Sequence, residues 1–150
     1  MSTLHSSQCQ FFPRRMSVPQ KVILASEIVF VFALVRLQMR RDDIRDVVAS
    51  IRTRPAIRSV SAEAGAPDVW LTATRLARAV TRTLGALPTD TRCLSQSLVL
   101  LWMLSRRAIP STLVIAAHGS EQFEAHAWIE HAGRPLLSPC GFSDDRLVEI

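Results

Sequence analysis

Tyrosine is absent from this chain, and Lys21 is the only lysine among 18 basic residues. Nearly all of the positive charge is therefore arginine, and it leaves a net charge of +5. No basic cluster is interleaved with stacking aromatics, which argues against a nucleic-acid surface. The arginine excess fits a GC-rich coding bias as readily as a surface for an acidic peptide or partner. Cysteine is also scarce. Cys9, Cys93 and Cys140 are odd in number and far apart, with no C-x-x-C pair. That excludes a disulfide framework and leads us to expect a reducing, cytoplasmic setting. Met1 to Pro19 holds no continuous apolar stretch, so no secretory signal is expected there.

What is present is apolar substance. Hydrophobic residues make up 48% and charged residues 21% of 150 residues, enough for a globular core. The length suits one domain, or one domain with a helical extension. Residues 1–18 are polar, with Pro13 inside the segment and Pro19 just after it as breakers. From Lys21 to Met39 the chain reads as a helix, with Val22 to Leu37 apolar nearly all round. That run of about sixteen residues is short of the ~20 needed to span a bilayer, and it contains Glu27. A buried or partner-facing helix is the better reading, and it leaves room for peripheral membrane contact.

Asp42 or Asp43 can cap a second helix to Arg52, with Ile44, Val47, Val48 and Ile51 on one face. Thr53 to Asp68, with Pro55, Gly65 and Pro67, reads as a linker. Trp70 to Leu84 returns to helical period, with Arg75, Arg78 and Arg82 on the polar side and Gly85 as a stop. A fourth helix is expected from Cys93 to Arg107, apolar all round from Leu98 to Leu104 and therefore central. Ser111 to Ala117 and Gln122 to Glu130 read as strands. A turn at Ala132-Gly133 leads to Arg134–Ser138, and a short strand is expected at 146–150. The order is α+β: helices first, then a core helix packed on an antiparallel sheet. We expect residues 1–66 to form an N-terminal helical extension and 67–150 the core domain.

Two residues in this frame carry chemistry. Cys93 stands at a helix start, where the helix dipole and free N–H groups favour thiolate. His126 lies in a strand, where an imidazole can take the thiol proton. Period two puts His126, Trp128 and Glu130 on one strand face and Ala125, Ala127, Ile129 and His131 on the other. Trp128 can shield the thiol–imidazole pair or wall a substrate groove. The rival is a zinc set drawn from His118, His126, His131 and Cys140. Its spacing is not a recognised one, and His126 and His131 face opposite ways. His118 reads as a turn residue, His131 as a strand-end surface residue, and Cys9 and Cys140 as spare thiols.

Cys93 at a helix start, the run Ala125-His126-Ala127-Trp128-Ile129-Glu130, the turn Gly133-Arg134-Pro135-Leu136 and the preceding Arg106-Arg107-x-Ile109-Pro110 together resemble the transglutaminase-like cysteine proteases of lasso-peptide biosynthesis. The resemblance is close over 91–138 and looser over 21–84. It implies a transglutaminase-like core in which Cys93 and His126 cut a ribosomally made precursor between leader and core. It implies no metal and no cofactor in the protein itself. The implied partners are the precursor's leader, a separate leader-recognition protein, and an ATP-dependent cyclase that closes the freed core. No strand signal precedes Ser111, so a fused recognition module of winged-helix type is not expected.

The chain departs from that pattern at its third position. The family carries Asp or Glu twelve residues after the histidine, and here Ser138 stands there. Asp144 and Asp145 are nearby candidates for a substitute acid. Loss of the acid costs about 10⁴ in serine hydrolases, and a cysteine nucleophile should suffer less. The alternatives are therefore a catalytically weakened scaffold that binds partners, or an acyl transferase of the transglutaminase type.

Overall fold

The computed structural model describes residues 17–55, 67–88, 93–119, 123–136 and 146–149. Four helices precede the sheet: α1 (Val18–Gln38), α2 (Ile44–Arg52), α3 (Pro67–Gly85) and α4 (Cys93–Ser105). Strands β1 (Thr112–Gly119), β2 (Phe123–His131), β3 (Arg134–Pro135) and β4 (Arg146–Glu149) follow. They pair in the order β3-β2-β1-β4, and every pair is antiparallel. This is the α+β arrangement expected from the order of apolar periods.

Helix α4 is the axis of the molecule. Every residue from Ser97 to Leu104 is buried, as its unbroken apolar run demands. Its end is locked by the backbone. Ala108 adopts φ 54°, Ala108 N–H donates to Ser105 at 3.0 Å, and Ile109 N–H donates to Leu104 at 3.0 Å. This is a Schellman stop with alanine where glycine is usual. The buried Ile109 supplies its apolar contact, and Pro110 then bars further helix.

Around α4 the other helices present one face each. In α1 the buried residues are Ile28, Val31, Phe32 and Val35, at i, i+3, i+4 and i+7. In α2 they are Val47, Val48 and Ile51. In α3 they include Val69, Ala73, Leu76, Val80 and Leu84. Ser17 starts α1, its backbone N–H donating to Gln20 Oε1 at 3.0 Å, and Asp43 occupies the cap position of α2 without a side-chain capping bond. These helices and the Leu113, Ala127 and Ile129 face of the sheet make one continuous apolar cluster. Across the division expected near residue 66, α1 and α2 bury their apolar faces in the same cluster as α3 and α4.

The run of about sixteen apolar residues lies inside a helix of 21 residues, long and apolar enough by length and composition to cross a membrane. One side of it is committed to the protein. Glu27, the charge inside that run, is bonded to Arg107 at 3.2 Å, and Arg107 also donates to Met103 O at the end of α4 at 2.9 Å. The opposite side is bare: Val22, Ile23, Phe30 and Leu37 are exposed.

Two expectations for histidines change. His118 lies within β1, opposite Glu124, and not in the turn. His131 is not on the surface but 1% exposed. Its ring stacks on Trp70 of α3 at 6.2 Å, and Nδ1–H donates to Pro110 O at 2.6 Å. Arg134 covers the same Trp70 at 4.4 Å. The β2–β3 turn that carries this group places Ala132 at φ 51° and Gly133 at φ 71°, a type I′ pair suited to a two-residue hairpin.

Candidate active site at the start of α4

Carbonyls on alternate residues of an antiparallel strand point to the same side. Ile129 O points away from β1, since it accepts Leu136 N–H at 2.8 Å from the β3 side. Ala127 O and Ala125 O therefore point the same way. Strand β3 pairs only with Glu130 and His131, so among the described residues no strand covers this edge farther back. The first turn of α4 lies along it instead. Ser97 Oγ–H donates to Ala127 O at 2.9 Å, and the Cys93 thiol lies 4.0 Å from Ala125 O.

The match is one of rise. Four helical residues advance about 6 Å and two strand residues about 6.6 Å, so Cys93 and Ser97 meet Ala125 and Ala127 in step. The thiol is thereby held beside the peptide that joins Ala125 to His126. Cys93 is a free thiol, partly exposed, at the first residue of α4. The sequence marks Ser97 only as a polar residue in a first turn. Its 0% exposure and its bond to β2 make it the pin that sets the helix against the strand.

Ser97→Ala is expected to leave Ala127 O buried without that donor. Stability should fall by about 1–3 kcal/mol, read as a lower melting temperature. The helix start should loosen with it, so thiol alkylation at Cys93 should change more than alkylation of an unfolded control.

On β2 the alternation holds. His126, Trp128 and Glu130 occupy the face opposite Ala127 and Ile129, and Trp128 packs with Val114 and Ala116 in a second small cluster. Trp128 is 2% exposed and stacked on His126, with ring centroids 6.1 Å apart and planes at 26°. Its indole N–H donates to Glu130 Oε1 at 3.0 Å, and Glu130 is itself buried. That bond needs both partners' rotamers, so the sequence pattern alone does not reveal it.

Ser138, Asp144 and Asp145 lie outside the described residues, as do His5, Cys9 and Cys140. Among the described residues no three of His, Cys, Asp and Glu gather as metal ligands would. The arrangement offers a thiol at a helix start, an imidazole on the adjoining strand and a ring seated against that imidazole. This is equipment for nucleophilic attack on a carbonyl.

The family profile described as the Transglutaminase-like superfamily matches residues 29–145. No curated protein and no solved structure gives a significant match. The matched span begins inside α1 and takes in α2, α3, α4 and the residues from Cys93 to Glu130.

Proposed function

Because the chain belongs to the transglutaminase-like superfamily, we propose that it is a cytoplasmic cysteine peptidase that removes the leader from a ribosomally made lasso-peptide precursor. The observation that carries the proposal is Cys93 at the head of α4, set against the backbone beside His126. The finer reading, leader removal, comes from the Ala-His-Ala-Trp-x-Glu run and the Gly-Arg-Pro turn. In this reading Cys93 Sγ attacks the scissile carbonyl and His126 takes the thiol proton. The tetrahedral intermediate collapses to a leader thioester, and His126 gives the proton to the departing amine of the core. Water then attacks the thioester, releases the leader acid and restores the thiol.

Mass spectrometry of the precursor, incubated with this protein and a separate leader-recognition protein, tests the reading. A leader-sized acid and an intact core are expected. A product joined to an added primary amine, with little free acid, would instead mark an acyl transferase. An intact precursor beside demonstrated binding would mark a scaffold. The freed core would pass to an ATP-dependent cyclase.

We assign the outward face of α1 to the recognition protein. Ile23 is 69% and Phe30 61% exposed, and both lie away from the buried Ile28, Val31, Phe32 and Val35. Exposed apolar area of this kind marks contact surfaces. Deleting α1 would empty the core, so point changes are the proper probe. Ile23→Glu with Phe30→Glu should weaken binding of the recognition protein by about tenfold or more, with the melting temperature unchanged. Unchanged affinity, with loss of binding to anionic vesicles, would assign the face to a bilayer.

A further inference from the structure

Glu130 has no part in the chemistry just derived, yet it is 7% exposed. A carboxylate is costly to bury without hydrogen-bonding partners. Here Trp128 Nε1–H donates to Oε1 at 3.0 Å. The same indole is stacked on His126 at 6.1 Å. The three side chains sit at i, i+2 and i+4 of β2, so one strand sets their order. On β1 the residues opposite His126 and Trp128 are Ala116 and Val114, both fully buried, and they close the group from beside.

When His126 takes the thiol proton it becomes a cation. In the pattern the chain resembles, an acid supports that cation; the matching position here is Ser138, with Asp144 and Asp145 the nearby acids, and the indole is a second support for the charge. An indole face is the best aromatic surface for a cation, effective to about 6 Å from the ring centre. A carboxylate bonded to the indole N–H fixes the ring's tilt and polarises it, raising the electron density presented to the imidazole.

We propose that Glu130 is a positioning residue for His126 that acts through Trp128: its carboxylate holds and polarises the indole, and the indole seats the imidazole and supports its charged form. This rests on the reading of Cys93 and His126 as the reacting pair. Glu130 neither gains nor loses a proton in the cycle. The proton moves from Cys93 Sγ to His126 and on to the leaving amine.

A double-mutant cycle on the full chain tests it. Glu130→Gln keeps an acceptor for the indole N–H and removes the charge. Trp128→Phe keeps a ring and removes the N–H. With ¹⁵N-labelled histidine, the His126 ring signals are assigned by their loss in His126→Ala. Glu130→Gln should shift those signals and the Trp128 indole signal. It should lower kcat for precursor cleavage on the order of tenfold, with KM within about twofold. In the Trp128→Phe background the same change should do neither, since the path is gone.

An equal effect of Glu130→Gln in both backgrounds would overturn the proposal. So would a folded Glu130→Gln protein whose His126 ring is unmoved, which would leave Glu130 a purely structural acid. The ring signals need no substrate. A wild type that cuts nothing would therefore count against the peptidase reading, while the shifts still decide the role of Glu130.

Discussion

Cys93→Ala is expected to lower precursor cleavage by at least about a thousandfold, with the melting temperature almost unchanged. The magnitude follows from losing the nucleophile of a covalent mechanism, where what remains reflects binding and polar stabilisation alone. The small stability effect follows from position. The thiol is partly exposed, and among the described residues its polar contact is Ala125 O at 4.0 Å. Progress curves under identical conditions, followed by mass, check the rate, and a thermal melt checks the fold. His126→Ala should fall nearly as far, because in the proposed mechanism thiol and imidazole act as one unit. The double variant should then be little worse than either single one. Additive losses would mean that the two side chains act in separate steps.

Phe32→Ala should cost about 3–5 kcal/mol, the usual loss for a large aromatic removed from a packed core. Phe32 is 6% exposed and belongs to the cluster that α1 shares with α3 and α4. Domains of this size carry about 5–15 kcal/mol in all. The melting temperature should therefore fall by roughly 6–20 °C, at ~2–4 °C per kcal/mol. Phe30→Ala, two residues away on the bare side of the same helix, should change it by no more than ~0.5 kcal/mol. The contrast separates an integral core helix from a detachable extension. If Phe32→Ala melts like wild type, α1 is not part of the folded core.

Much of this architecture was legible because period and composition agree over long stretches. The apolar run 98–104 could only be a central helix, and the β-branched run 111–117 could only be a buried strand. Alternation along β2 by itself puts His126, Trp128 and Glu130 on one face. Other features depend on elements brought together by folding. Helix α1 is apolar nearly all round, so nothing local distinguishes Phe32, which is buried, from Phe30, which is not. His131 sits beside a turn and reads as a surface residue, until Trp70 of α3 is packed on its ring. Composition shifts near residue 66, whereas the apolar cluster draws on faces from both sides of that point. The pinning of Cys93 beside Ala125 depends on α4 lying along an edge of β2 that β3 leaves uncovered. The bond between Trp128 and Glu130 is a tertiary choice of rotamers. Ser138, where the sequence departs from the pattern it resembles, and the candidate substitute acids Asp144 and Asp145 fall outside the described residues.

In the proposed mechanism Cys93 carries the acyl group. The most direct measurement is intact-protein mass spectrometry of a reaction stopped with acid within the first turnovers, with the recognition protein present. A mass gain equal to the leader acyl group is expected, located on Cys93 after digestion and absent from Cys93→Ala. An adduct on Cys9 or Cys140, or undiminished cleavage by Cys93→Ala, would show that Cys93 is not the nucleophile.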